Sequence, residues 1–238
     1  VRPETLSDEE REQLHAARPA HDLYYQASLE VGREGLIREI LERAEKRREV
    51  SDHELEQVCL SDGAISQLRI CRELFPKATI VLDIIHAVER FWNAAHLFHP
   101  EGSDTAQDMV HDLVLRTLQG KIGYVIGGLR QRATKQKLGK RRQKKLQAII
   151  TYLENHRQSM RYDQYLARGF PISTGAVESA CGHLVKDRME KAGARWSIRG
   201  GEAMLRLRAI YASGHFDQYL QFRQEREHER LYAPKEAA

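Results

Sequence analysis

The spacing of apolar positions divides the chain into a strand-bearing stretch and a longer helical one. Leu23-Tyr-Tyr-Gln-Ala-Ser-Leu-Glu30 alternates in part and carries two tyrosines, which predicts a strand. Leu36, Ile37, Ile40, Leu41 and Ala44 then share one face of a helix predicted over Glu34 to Lys46. Val58 to Leu60 reads as a strand, Ile65 to Leu74 as a helix with Leu68 and Cys71 inward, and Thr79 to Asp83 as the next strand. Two strands joined by so tight a helical crossover are expected to be parallel.

After His86 the period becomes helical. Val88, Phe91, Trp92 and Ala95 form one stripe, and Ala106, Met109, Val110, Leu113, Val114, Thr117 and Leu118 a second. Ile122, Val125, Ile126 and Leu129 continue it, as do Leu146, Ile149, Ile150 and Leu153. Gly169-Phe170-Pro171 breaks the pattern. A helix capped by Ser173 or Thr174 is predicted from Gly175 to about Lys191, followed by helices over Gly200 to Ala212 and His215 to Leu231. The expected fold class is α/β and predominantly helical. Residues 1–22 form a polar arm or remnant, 23–98 a strand-bearing core, 99–170 an all-helical insertion, 171–198 a return to the core and 199–238 terminal helices.

A length of 238 residues allows one large domain or a core plus a subdomain. No run approaches the roughly 20 apolar residues of a membrane span and no signal peptide opens the chain, so a soluble cytoplasmic protein is expected. Cys59, Cys71 and Cys181 lack paired spacing and read as reduced core thiols.

The net charge of +4 is mild, but its distribution is not. No acid lies between Asp112 and Glu154, whereas Arg130, Arg132, Lys135, Lys137, Lys140, Arg141, Arg142, Lys144 and Lys145 fall there. Such a block suits phosphate contact, because each neutralised phosphate releases counterion. The plainer alternative is a solvated helix face. Lys186, Arg188, Lys191, Arg195 and Arg199 form a second basic group, with Trp196 among them as a stacking candidate. Trp92 keeps helical spacing and reads as core.

Two acids stand out. Asp62, in Val58-Cys-Leu-Ser-Asp62-Gly63-Ala64, ends an apolar run as strands do when they deliver a carboxylate to a site. Glu178, in Pro171-Ile-Ser-Thr-Gly-Ala-Val-Glu178-Ser-Ala-Cys-Gly-His183, lies early on a helix and is followed by basic residues. Hard divalent cations prefer such carboxylate oxygens. Each also has an ordinary reading, as a turn residue and as a complement to the helix dipole. A zinc site from Asp83, His86, Cys181 and His183 would use suitable donors, but the spacing matches no finger.

Ser61-Asp62-Gly63-Ala64, Leu74-Phe75-Pro76-Lys-Ala78, Leu82-Asp83-Ile-Ile-His86-Ala-Val-Glu-Arg90, Ser173-Thr-Gly-Ala-Val-Glu178-Ser, Arg188-Met189 and Gly193-Ala-Arg-Trp196 follow one another in an order that resembles bacterial insertion-sequence DDE transposases related to the Mutator superfamily. The resemblance runs from about Tyr24 to about Tyr219. It implies a partial RNase H-like core, Asp62 and Glu178 as the second and third acids of a catalytic and metal-binding triad, and an all-helical insertion between them. It further implies two Mg²⁺ ions, transposon-end and target DNA as partners, a homo-oligomer on DNA in the bacterial nucleoid, and Asp83 with His86 as active-site support. The ordinary reading of that pair is a strand end and a hydrogen-bonding or capping histidine. The first acid should precede Leu23, yet Asp8 and Asp22 sit in no apolar run. The chain is therefore expected to begin after it and to be inactive alone. A non-enzymatic DNA-binding or inhibitory fragment and a structure-selective nuclease on the same core are the rival readings.

Overall fold

The computed structural model describes residues 23–50, 55–175, 181–190 and 193–232. The described elements are α1 (Arg33–Glu49), β1 (Val58–Ser61), α2 (Ile65–Leu74), β2 (Thr79–Leu82), α3 (Ile84–Phe98), α4 (Asp104–Leu118), α5 (Ile122–Lys135), α6 (Lys140–His156), α7 (Tyr162–Ala167), α8 (Ile198–Ala212) and α9 (Phe216–Tyr232). A π-helical turn at Gly182–Lys186 and a short α turn at Asp187–Met189 precede α8. The chain is predominantly helical with two strands among the described residues, and it divides into two compact units, Ser51–Ala176 and Val1–Val50 with Val177–Ala238. No helix among the described residues is long and apolar enough to cross a membrane.

In the unit Ser51–Ala176, β1 and β2 pair in parallel with Ser61 opposite Leu82. The crossover helix α2 starts and stops at the residues its periodicity predicts, and Leu68, Ile70 and Cys71 are buried on it. The helical stripes of α3 to α6 meet in one core: Phe91, Leu113, Val125, Leu129, Ile150 and Leu153 are almost wholly excluded from water. α7, which apolar periodicity does not predict, seals the sheet. Its Tyr162 hydroxyl donates to the Leu82 carbonyl at 2.9 Å, and Tyr165 reaches the Ile80 carbonyl at 3.4 Å. Burial, with Asp83 nearby, pushes the Tyr162 phenol well above its ordinary value.

The other unit departs from expectation at its start. The strand predicted over Leu23 to Glu30 does not form. Among the described residues no strand lies beside it to complete a ladder, and its backbone is held by side chains instead. Glu202 accepts from the Leu29 N–H at 2.7 Å and from the Ser28 hydroxyl at 2.9 Å, while Tyr25 N–H donates to Ser213 Oγ at 2.9 Å. Arg206 pairs with the same carboxylate at 2.7 Å, and these donors hold Glu202 down to about 2. Cys181, expected in the core, is exposed, because the π-helical turn buries Leu184 instead; Cys71 is buried and Cys59 half-buried, and all three are free thiols.

Candidate functional site

The strand ends present two aspartates in adjacent positions with opposite surroundings. Because Ser61 faces Leu82 in the parallel register, Asp62 and Asp83 are the first residues beyond the two paired ends. β2 stops at Leu82 and not at Asp83, as Asp83 caps α3: its Oδ1 accepts from the Ile85 N–H at 2.8 Å. Its Oδ2 accepts from the Thr174 N–H at 3.2 Å and from the Thr174 hydroxyl. The Ile84 N–H donates to the Ile172 carbonyl at 2.9 Å beside it. Asp83 is fully buried, and with both oxygens occupied it is a brace between the strand end and the segment Ile172–Thr174.

Asp62 is exposed and makes no ion pair among the described residues. Its Oδ1 accepts from the Ala64 N–H at 2.8 Å, which fixes the carboxylate without covering it. The loop is clamped from α6. Tyr152 Oη donates to the Asp62 carbonyl at 3.1 Å, and His156 Nε2 lies 3.0 Å from the Gly63 carbonyl while its Nδ1 lies 2.7 Å from the Tyr152 carbonyl. A carbonyl only accepts, so at either contact it is the ring N–H that donates. Gly63 is required here on two grounds. Its φ is +86°, and an added Cβ would lie 2.7 Å from Tyr152 Oη and 3.0 Å from both His156 Nε2 and Leu82 Cδ1. The glycine thus answers to the clamp, beyond leaving room around Asp62.

Arg90 stands 4.7 Å from the Tyr152 ring centroid and His156 4.3 Å on. Burial pushes the Tyr152 phenol up, and Arg90 partly offsets it. His86 turns to Glu89 at 3.2 Å and makes no bond to Asp83. The residues missed from sequence are Tyr152, His156 and Arg90; Thr174, expected as a helix cap, donates to Asp83. His156 carried a signal, because it occupies the next position of the Leu146, Ile149, Ile150, Leu153 stripe and is buried there.

Glu178 and Lys191 lie outside the described residues. Among the described residues, no three His, Cys, Asp or Glu converge to hold an ion; His183 pairs with Asp187 at 3.2 Å. Asp62 by itself offers an oriented hard oxygen of the kind Mg²⁺ takes, whereas Asp83 has none to give.

The basic run is split by the turn between α5 and α6, where Lys137 adopts φ +49°. Arg130 pairs with Glu154 at 2.8 Å, Arg132 reaches Met109 Sδ at 3.6 Å, and Arg142 donates to the Leu97 carbonyl at 3.5 Å. Lys135, Lys137, Lys140, Arg141, Lys144 and Lys145 are exposed. In the other unit Lys186, Arg188, Arg195 and Arg199 are exposed, and Trp196 is half-buried with Arg188 5.8 Å from its ring. Trp92 packs against the core with His96 5.6 Å away. No protein-family model, no curated protein and no solved structure matches the chain.

Proposed function

We propose that the chain is a DDE-type DNA transposase chain built on a partial RNase H-like core, which binds DNA as a homo-oligomer. The observation that supports this best is the adjacency of Asp62 and Asp83 at two parallel strand ends, with Asp83 gripping Thr174 four residues before Glu178. Ligand sites of open α/β sheets lie at such carboxyl ends. In this reading Asp62 and Glu178 hold metal, and Asp83 is a positioning residue that anchors the segment leading to Glu178. His86 acts only through Glu89 and the start of α3.

Two Mg²⁺ ions on those carboxylates would supply charge stabilisation for the attacking and leaving oxygens of a phosphodiester exchange. The protein's part is orientation. The Ala64 N–H fixes Asp62 Oδ1, Tyr152 and His156 hold the successive carbonyls of Asp62 and Gly63, and exposed lysines hold the DNA strand by its phosphates.

The test assays joining of terminal-repeat DNA in Mg²⁺ by an enzyme that carries all three acids. Asp62→Ala and Glu178→Ala should each abolish joining and leave DNA binding intact. Cleavage retained in both variants overturns the assignment. Cleavage without any joined product in the unaltered enzyme would point to a nuclease.

A further inference from the structure

We infer that the exposed face of α6 is a rail that carries a DNA strand from the basic region to the Asp62 loop. The nature of the partner rests on the transposase reading; the path and its length are new. Two grooves flank α6. One of about 500 Å³ lies between α5 and α6 and is lined by Arg130, Lys140 and Lys144. The other, of about 1010 Å³, lies between α2 and α6, reaches Gly63 and has Arg69 and Arg72 on its α2 wall. Helical periodicity places Lys140, Lys144, Gln147, Ala148, Thr151 and Asn155 on one strip of α6, and all six are exposed. Lys140, Lys144 and Gln147 line the first groove and Ala148, Thr151 and Asn155 the second, so the strip joins them.

The chemistry of the strip changes along its length. It begins with two lysines and continues with neutral hydrogen-bonding groups and a small alanine. It ends where Tyr152 touches the Asp62 carbonyl. Glu154, the acid of α6, lies on the flank and is neutralised by Arg130 at 2.8 Å; on the far wall Glu73 stands 3.8 Å from Arg69. A partner with regularly spaced negative charge fits this order, with its phosphates on the lysines and its sugar edges against Thr151 and Asn155.

The helix also sets a distance. At about 1.5 Å rise per residue, Lys144 and Lys140 lie about 12 Å and about 18 Å back from Tyr152 along the axis.

The test is fluorescence polarisation of the full chain on a labelled duplex of about 20 base pairs and on its single strand, across a salt series. On the duplex, Lys140→Ala with Lys144→Ala should lower the slope of log K against log salt by about 1.8, or about 0.9 for each phosphate no longer neutralised; on the single strand the slope should fall by about 1.4. Thr151→Ala with Asn155→Ala should weaken binding several-fold at an unchanged slope, and arginine at both lysine positions should retain the slope. All these side chains are exposed, and an unchanged circular-dichroism melt confirms that the variants fold. If the chain binds DNA and the lysine pair leaves its slope intact, the rail is overturned while the transposase reading stands. If the unaltered chain shows no salt-dependent binding to either DNA, both fall.

Discussion

Asp62 and Asp83 follow neighbouring parallel strands one position beyond a paired end, and each precedes a helix, yet they are put to opposite uses. Asp83 is fully buried and spends both oxygens on Ile85 and Thr174. Asp62 is exposed and commits one oxygen to Ala64, while the tyrosine and histidine that approach it bind the backbone and leave the carboxylate open. The difference separates a structural acid from one free to act. A buried carboxylate is tolerated when donors saturate it, and saturation removes it from chemistry.

The contrast is tested most severely by alanine at each aspartate. Asp83→Ala strands the Ile85 and Thr174 N–H groups in a dry environment and removes the cap of α3, a loss of about 4 kcal/mol from unsatisfied donors and capping together. Asp62→Ala removes one exposed hydrogen bond and should cost no more than about 1 kcal/mol. Urea unfolding of the two variants gives both figures, and equal costs would abolish the distinction.

Gly63→Ala comes next. The left-handed backbone costs about 1–2 kcal/mol for any residue with a Cβ, and here that atom also meets Tyr152 Oη at 2.7 Å. Gly102→Ala is the control, since Gly102 has φ +75° with nothing within 4 Å. Only the backbone penalty should appear there, so a Gly63 variant no worse than the Gly102 variant would mean that α6 does not clamp the loop.

Glu202 extends the comparison to the other unit as a second saturated acid. Its folded value, about 2, lies below the ordinary 4.5. The unfolded state therefore takes up protons first as pH falls. The stability Glu202 contributes is complete above about 4.5 and is lost as the pH drops toward 2. Thermal melts between pH 6 and pH 2 should show a steeper decline for the unaltered chain than for Glu202→Gln, which cannot ionise; parallel declines would remove Glu202 as the cause.

What could be read in advance follows from how local each cause is. The stripes of α3 to α6 and the bounds of α2 were legible because apolar spacing records burial residue by residue. α7 was not, since six residues carry too little period and its role depends on Tyr162 and Tyr165 reaching carbonyls of β2 far away in sequence. The Leu23 segment imitates a strand by alternation, but its partner is Glu202, which no local pattern can announce. Asp62 was legible as a candidate, and the division of labour with Asp83 was hidden because Thr174 decides it.

The smallest effect sharpens the comparison furthest. Tyr152→Phe keeps the ring between Arg90 and His156 and deletes only the hydroxyl that donates to the Asp62 carbonyl. One net hydrogen bond is worth about 1 kcal/mol, so global unfolding should shift little. Amide hydrogen exchange resolves where the weakening falls. If the Asp62 loop and the Asp83 brace are separate devices, the Gly63 and Ala64 amides should exchange several-fold faster while the Ile85 and Thr174 amides keep their protection. Thr174→Val should do the reverse, loosening Ile85 and leaving Ala64 unchanged. Acceleration at both loops in either variant would make the two strand ends one cooperative unit, and the open carboxylate of Asp62 would then depend on the buried one of Asp83.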